Sequence, residues 1–312
     1  MPKKGDFKMK RIIFSILSFI IGLGLWSPVV SANEKPKVTV TTSFLADMVQ
    51  NIAGDEVELE LLIPAGSDPH LYQPKAQDLN KISTADIVLY HGLHFEGKMV
   101  DVLEQYGVAV TKDFKEDQIG EMEEDGQKEI DPHFWFDIDL YKQATITASN
   151  ALKEKFPELK ETFERNTEQY LNELDQLKSW VATELEKLPV EQRNLVTPHD
   201  AFNYFAKSND FVVYAPQGVS TDSEVSNQQI SETVDFIIDN KVPAIFVEST
   251  TNPDRMKKLQ EAVKAKGGSV EVVMNEDEAL FSDSLAPAGQ PGDNYIAMYQ
   301  HNINVIIQHL AK

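Results

Sequence analysis

Strand-like and helix-like segments alternate along the chain from residue 37. Segments 44–54 and 76–83 carry apolar residues at helical spacing, and the first of them ends at a glycine. Residues 111–130 are polar and acidic without a period, which predicts a surface loop. Four short segments have the alternating or continuous apolar pattern of strands: KVTVTT (37–42), VELELLI (57–63), DIVLY (86–90) and GVAV (107–110). This rhythm predicts an α/β lobe with a mostly parallel sheet.

Residues 158–187 have the strongest helical pattern in the chain. Apolar residues at steps of three, four or seven share one face of this predicted helix: Phe163, Tyr170, Leu174, Leu177, Val181, Leu185 and Leu188. A helix of this length extends about 45 Å, which is comparable to a whole domain.

The alternation of strand-like and helix-like segments resumes after this helix and predicts a second α/β lobe. Its segments, in order, are NLVT (194–197), AFNYFAK (201–207), FVVYA (211–215), a helix near 226–240, AIFVE (244–248), a helix near 254–266 and VEVVM (270–274). The predicted fold class is therefore α/β, with two lobes of mostly parallel sheets joined by a single long rigid helix. We place the N-terminal lobe at 33–157, the linking helix at 158–191 and the C-terminal lobe at 192–312.

The first 32 residues have the pattern of a secretory signal peptide. Basic residues up to Arg11 precede the apolar run 12–26, and the small residues Ser31 and Ala32 fit a cleavage site before Asn33. An uncleaved membrane anchor is the alternative, because 12–30 almost reaches the length of a bilayer span. The small residues favour cleavage, and the protein is expected in the periplasm or at the cell surface.

Composition narrows the function classes. The formal net charge is -21, which makes nucleic-acid binding an unfavourable role for this chain. Cysteine is absent, which excludes disulfides, thiolate metal sites, a cysteine nucleophile and lipid attachment through a cysteine. A metal ion bound here must therefore be held by nitrogen and oxygen atoms.

Three Pro-His pairs stand out among only 7 histidines and 15 prolines. They place His70 in SDPHLY, His133 in DPHFWFD and His199 in VTPHDAF. A residue before proline is pushed towards extended backbone, and His70 and His199 follow predicted strands. Ligands of open parallel sheets bind beyond the carboxyl ends of the strands, and imidazole is the commonest metal ligand. A histidine bonded to backbone in a turn is the simpler explanation for any one pair, but three together predict a shared metal site.

A carboxylate would complete a set of three neutral imidazoles. The loop LFSDSLAPAGQPGD (280–293) follows a predicted strand and offers Asp283 and Asp293. Asp283 is slightly favoured, because Ser282 and Ser284 flank it and are expected to orient its oxygens.

Other motifs predict structure rather than chemistry. GLHFEGKM (92–99) has the spacing of a phosphate-binding loop, but Met99 stands where that motif needs Ser or Thr. His91 and His94 lie in a strand-to-helix turn and are expected to be structural. His301 and His309 lie on a C-terminal amphipathic helix and are expected to be surface or packing residues. Glu248 is the carboxylate that a zinc hydrolase would use as its base, but a structural or supporting role is favoured.

The chain resembles the manganese/zinc-binding substrate-binding proteins of bacterial ABC transporters, the cluster A-I metal receptors. The resemblance runs in order from about residue 37 to the end and is carried by VTTSFLADMVQNIAGDEVEL, IPAGSDPHLYQP, ADIVLYHGLHFEGKM, DPHFWFD, VTPHDAFNYFAK, GVSTDSEVS, PAIFVEST and FSDSLA…GDNYIAMYQHN. It implies two α/β lobes joined by one long helix, with the metal in the cleft between them. It also implies that the ligands are His70, His133, His199 and Asp283.

The resemblance implies a binding protein and not an enzyme. Its role would be to capture one Mn²⁺ or Zn²⁺ outside the cytoplasm and deliver it, as a monomer, to a membrane permease driven by a separate ATPase. The acidic stretch 111–130 lacks the histidines that zinc importers often carry, which favours Mn²⁺. Many manganese-type members have Glu where this chain has His199, so Zn²⁺ remains a close second. The alternatives are a surface adhesin with a structural metal and a zinc hydrolase.

Overall fold

The computed structural model describes residue 1, residues 34–124 and residues 127–311, and the side chains of 123–127 are left out of the description. Apart from residue 1, the predicted signal segment lies outside the described residues. Among the residues described, no helix combines the length and the apolar character needed to cross a membrane.

The N-terminal lobe is built on a four-stranded parallel sheet with strand order β2-β1-β3-β4. Val38 and Val40 of β1 are fully buried, since helices cover the sheet. The lobe's strands and helices are β1 (Lys37–Val40), α1 (Ser43–Ala53), β2 (Glu58–Leu61), α2 (Ala76–Thr84), β3 (Ile87–Tyr90), α3 (Val100–Tyr106), β4 (Val108–Ala109), β5 (Gly120–Glu124), β6 (Gln127–Asp131) and α4 (Ile138–Lys155).

The predicted loop at 111–130 is wrong in its second half. Strands β5 and β6 form an antiparallel hairpin there. Its base is anchored by Tyr204, whose hydroxyl accepts a hydrogen bond from Gly120 N at 2.7 Å and donates one to Asp131 O at 3.0 Å. An acidic segment without alternation forms strands here because a residue far along the chain binds its two ends.

Helix α4 is a second element that the sequence pattern did not indicate. It has no single apolar stripe, because hydroxyl residues share its buried surface. Thr145 donates to Tyr141 O at 2.8 Å and Ser149 Oγ lies 2.7 Å from Thr167 Oγ1, so both buried hydroxyls are satisfied. Helix-interior hydroxyls of this kind weaken the hydrophobic periodicity on which a prediction depends.

The linking helix α5 (Lys160–Leu185) has 26 residues, so it extends about 39 Å. All seven residues of its predicted apolar face are buried, and six of them lie on α5, which confirms the helix and its packing face; Leu188 lies beyond the end of the helix. The predicted domain boundaries around it remain predictions.

The C-terminal lobe contains two two-stranded parallel sheets, β7-β8 and β9-β10. Two isolated parallel bridges, His199 with Gln217 and Glu248 with Leu280, continue the pairing beyond the strand ends. The lobe's elements are β7 (Asn194–Val196), α6 (Asn203–Asn209), β8 (Val212–Tyr214), α7 (Asn227–Asp239), β9 (Ala244–Phe246), α8 (Asp254–Ala265), β10 (Glu271–Val273) and α9 (Tyr295–Leu310). The predicted α/β class with mostly parallel sheets is confirmed.

A continuous apolar core joins the two lobes. Phe136 stacks on Phe202 with ring centroids 4.4 Å apart, and Tyr141 stacks on Tyr295 at 3.7 Å. Contacts of this kind resist large domain rotations, because opening the lobes widely exposes the buried rings to water.

Candidate metal centre

The four predicted site residues converge in the cleft between the lobes. His70 lies in the turn after β2 and His133 directly after β6, both in the N-terminal lobe. His199 follows β7 and Asp283 lies in the loop after β10, both in the C-terminal lobe. Each residue offers one ligand atom, and these atoms all lie within 4.8 Å of one another. Four atoms so close together fit around a single ion.

The geometry directs nitrogen and oxygen atoms at one point. Both carboxylate oxygens of Asp283 face the histidines: Oδ1 lies 3.3 Å from His133 Nε2 and Oδ2 lies 3.3 Å from His199 Nε2. His133, His199 and Asp283 are fully buried, and His70 is 8% exposed. The Nε2 atom of each histidine lacks a hydrogen-bond partner among the described residues. Buried polar atoms left without partners are costly, which indicates that a ligand belongs among them.

Two further carboxylates hold two of the histidines from behind. Asp131 Oδ1 lies 2.8 Å from His133 Nδ1 and also accepts from His133 N at 3.0 Å. Glu248 Oε2 lies 2.5 Å from His199 Nδ1 and accepts from Ser282 Oγ at 3.2 Å. When Nδ1–H donates to a carboxylate, the lone pair of Nε2 is directed at the centre, which is the usual orientation of a metal-binding imidazole.

The supporting role favoured for Glu248 agrees with this contact. Asp131 is a residue whose contribution the sequence interpretation missed. Its position two residues before His133 was available as a signal, because an aspartate there can bond both the backbone and the ring of that histidine.

His70 is positioned by packing. Its ring meets Phe95 edge-on at 5.0 Å. Gly97 has a positive φ of 48°, and a Cβ at this position would lie 2.6 Å from His70 O. The segment that carries Phe95 and Gly97 therefore lies directly against the turn that presents His70. This close approach explains Gly97, one of the two glycines in the match to a phosphate-binding loop.

Charge coupling separates the pKa values of the four residues. Burial lowers the pKa of His133, but the hydrogen bond to Asp131 and the negative charges of Asp131 and Asp283 outweigh burial and raise this pKa to about 8. Burial also lowers the pKa of His199, but Asp283 and Glu248 outweigh burial and hold this pKa well above its usual range. For His70, burial dominates and lowers the pKa to about 3. Burial alone would raise the pKa of Asp283, but His199 and His133 hold it well below its usual range.

The other residues of the 280–293 loop that the sequence offered for the site do not contribute to the cluster. Asp293 accepts a hydrogen bond from Gly289 N at 2.7 Å and is not part of the cluster. The expectation that Ser282 and Ser284 orient Asp283 is wrong. Ser282 donates to Glu248, and Ser284 Oγ accepts from Gly66 N at 2.7 Å, because both hydroxyls point away from the Asp283 carboxylate.

Three of the remaining histidines have structural surroundings, as expected, whereas His94, also predicted to be structural, does not. His91 Nε2 lies 2.6 Å from Thr42 Oγ1 within an aromatic cluster, and His94 is exposed. His301 Nε2 lies 2.9 Å from Ala279 O, and His309 lies between two glutamates.

Hydrogen bonds cross the cleft on both sides of the site. Ser43 Oγ, at the start of α1, accepts from Leu285 N at 2.9 Å. Thr221 Oγ1 donates to Asp68 Oδ2 at 2.6 Å, and Asp68 Oδ1 accepts from His70 N at 2.9 Å. The backbone on either side of the candidate ligands is thus tied across the lobes.

The chain matches the family model described as the zinc-uptake complex component A, periplasmic, over residues 38–309. It is 38% identical over 287 residues to the zinc-binding protein TroA of Treponema pallidum, covering 90% of this chain and 91% of that protein. It is 31% identical over 294 residues to the manganese ABC transporter substrate-binding lipoprotein PsaA of Streptococcus pneumoniae. This match covers 90% of this chain and 91% of that protein.

A solved TroA structure superposes with a TM-score of 0.87 at 61% identity, covering 89% of this chain and all of that one. The predicted two-lobe fold with a long helix is confirmed by this likeness.

The resemblance found in the sequence is confirmed by the family match, and so is the prediction that the chain is a binding protein and not an enzyme. The comparisons support metal transport and give no support to the hydrolase or the adhesin. The chain belongs to the family of periplasmic component A proteins of zinc-uptake complexes, which are the metal-binding, substrate-binding subunits of ABC transporters.

Proposed function

We propose that the protein captures one divalent transition-metal ion outside the cytoplasm through His70, His133, His199 and Asp283, and delivers it to an ABC transporter. The observation that carries the proposal is the convergence of four buried ligand atoms within 4.8 Å of one another. Three neutral imidazoles and one carboxylate match the nitrogen and oxygen preferences of zinc and manganese.

We propose Mn²⁺ as the favoured cargo, with Zn²⁺ as the tighter-binding competitor of the purified protein. Zinc accepts a tetrahedral set of this composition, and the Irving–Williams order places its affinity above that of manganese. Manganese prefers more oxygen ligands, and both oxygens of Asp283 face the site without another partner among the described residues. Binding through both oxygens raises the ligand count to five, which suits Mn²⁺.

Capture is coupled to the contact between the lobes. Each lobe contributes two of the four ligands, so an ion bound to all four holds the lobes together. The apolar core shared by the lobes allows only a modest tilt around α5. Release then requires the membrane partner to separate the two pairs of ligands or to weaken their bonds to the metal ion.

The membrane partner in this proposal is a permease with its ATPase, and the binding protein acts as a monomer. Residues 1–32 act as a signal peptide that exports the chain, and cleavage falls before Asn33.

The test is elemental analysis together with calorimetric titration of Zn²⁺ and Mn²⁺. One ion per chain is expected for the unchanged protein. Substitution His133→Ala should reduce the affinity by orders of magnitude, because it removes a ligand and leaves Asp131 and Asp283 facing an empty volume. His94→Ala is the matched control, since His94 is an exposed histidine outside the cluster. Equal affinities of the His133→Ala protein and the control would overturn the proposal.

A further inference from the structure

His70 differs from the other candidate ligands in how it is held. Carboxylate oxygens lie 2.8 Å from Nδ1 of His133 and 2.5 Å from Nδ1 of His199. Among the described residues, the ring of His70 has no hydrogen bond of this kind. His70 is also 8% exposed, whereas the other three candidate ligands are fully buried. The orientation of His70 therefore depends on its backbone, and this residue is the most exposed of the four.

One carboxylate joins the backbone of His70 to the opposite lobe. Asp68 Oδ1 accepts from His70 N at 2.9 Å, and Asp68 Oδ2 accepts from Thr221 Oγ1 at 2.6 Å. Thr221 is buried and belongs to the loop after β8 in the C-terminal lobe. Because both bonds use one side chain, Thr221 positions residues 66–72 from across the cleft. We call this segment the His70 turn.

Thr221 is itself fixed to the segment that carries another candidate ligand. Gln217 Nε2 donates to Thr221 O at 2.8 Å and to Ser223 O at 2.7 Å, which holds the loop in shape. Gln217 is buried, and its backbone pairs with His199 in a parallel bridge. The hydroxyl of Thr221 therefore connects the segment of one candidate ligand, His199, to the turn of another, His70.

Different kinds of contact join the lobes on the two sides of the site. On one side, Trp135 and Tyr295 are fully buried in the apolar core shared by the lobes, and Tyr295 Oη donates to Trp135 O at 2.6 Å. No residue of the His70 turn belongs to this core. The turn meets the C-terminal lobe through hydrogen bonds, including one from Gly66 N to Ser284 Oγ at 2.7 Å. Water replaces broken hydrogen bonds but not apolar contacts, so the side of the His70 turn is easier to open.

We propose that Thr221 is a positioning residue that holds the His70 turn against the C-terminal lobe, and that His70 is the first ligand to leave the metal when the lobes part. This rests on the proposed function, since it concerns the same four ligands. While the bond to Asp68 is intact, the ion is held by four residues. When the bond breaks, the turn moves away with its imidazole and leaves the ion on three. Thr221 thereby sets the lifetime of the bound metal.

Zinc release to an excess of a chromogenic chelator, followed by stopped flow, tests the role of Thr221. Thr221→Val keeps the branched shape but removes the hydroxyl, and release should be about tenfold faster, as expected for loss of a hydrogen bond to a carboxylate. Thr221→Ser keeps the hydroxyl and should release zinc as slowly as the unchanged protein. Thr233→Val is the matched control, because Thr233 is also buried but donates to Gln229 O within α7. Its release rate should equal that of the unchanged protein.

Equal release rates of the Thr221→Val and unchanged proteins overturn the proposal. A Thr221→Ser protein that releases zinc as fast as Thr221→Val overturns it as well, since the hydroxyl then has no part in the effect. Zinc titration of the unchanged protein tests the proposed function separately. Failure to bind one ion per chain refutes that function, whereas one bound ion with an unchanged release rate in Thr221→Val refutes only the role of Thr221.

Hydrogen exchange of the unchanged protein tests the order of opening without a variant. Zinc should slow amide exchange in a peptide that covers the His70 turn, where His70 N and Leu71 N donate to Asp68. The slowing should be smaller in a peptide that covers residues 133–141, which pack in the shared core with or without metal. Equal slowing in the two peptides, or slowing confined to residues 133–141, overturns the proposal.

Discussion

The carboxylate of Glu248 lies 2.5 Å from Nδ1 of His199, and both side chains are fully buried. The bond directs Nε2 of the ring at the cleft. It also places negative charge behind the imidazole that we propose as a metal ligand. Because β9 ends two residues before Glu248, the strand itself holds this carboxylate in position.

Glu248→Gln should lower zinc affinity by about 10- to 100-fold while the stoichiometry stays at one ion per chain. The amide preserves a hydrogen bond to the ring but removes the charge. Glu276→Gln is the control, since Glu276 is an exposed carboxylate of the same lobe. Competition titration against a chelator of known affinity measures the effect. Affinities that match in the two variants would show that Glu248 has no supporting role.

Metal affinity should depend steeply on pH, because protons compete for two of the ligands. His133, with its pKa raised to about 8, and His199, with its pKa raised well above its usual range, both carry protons near pH 7 in the metal-free protein. His70, with its pKa lowered to about 3, carries none. A metal ion must therefore displace two protons, and affinity should fall about 100-fold for each pH unit from pH 7 to pH 5.

Above about pH 8 this dependence should become shallower, since His133 then loses its proton without the metal. Titrations at several pH values, and calorimetry in two buffers of different ionisation enthalpy, count the protons released. A release of no protons at pH 7 would contradict the charge coupling described for the cluster.

Gly97→Ala should weaken metal binding through the backbone of His70. The added Cβ would lie 2.6 Å from His70 O, so the turn that presents the ring must shift. Gly267→Ala is a matched control, because Gly267 also has a positive φ but its Cβ would meet no atom within 4 Å. Gly267→Ala should lose about 1 kcal/mol of unfolding free energy from the strained backbone, and Gly97→Ala should lose more because its Cβ also meets His70 O; denaturant titration measures both. Only Gly97→Ala should lose metal affinity as well, and equal affinities would argue against this positioning.

Most of the candidate site could be predicted from the sequence because the residues proposed as ligands carry local signals. Each candidate histidine follows a proline, and the strands that precede His70 and His199 are readable from their apolar pattern. Asp283 was harder to distinguish from Asp293 as the candidate carboxylate ligand, because the two lie in the same loop and only the fold determines which one faces the cleft.

The features that sequence did not predict depend on distant contacts. The hairpin at 120–131 is fixed by Tyr204, and α4 buries hydroxyls whose partners lie on α5 or one turn back along α4. Asp131 could have been found by its spacing from His133.

Anomalous X-ray diffraction from crystals of the metal-loaded protein tests the four-ligand site most directly. One peak is expected per chain for manganese and for zinc. For zinc it should lie about 2.0–2.2 Å from Nε2 of His70, His133 and His199 and from a carboxylate oxygen of Asp283. A single peak elsewhere, or a peak bound by fewer than these four residues, would contradict the account.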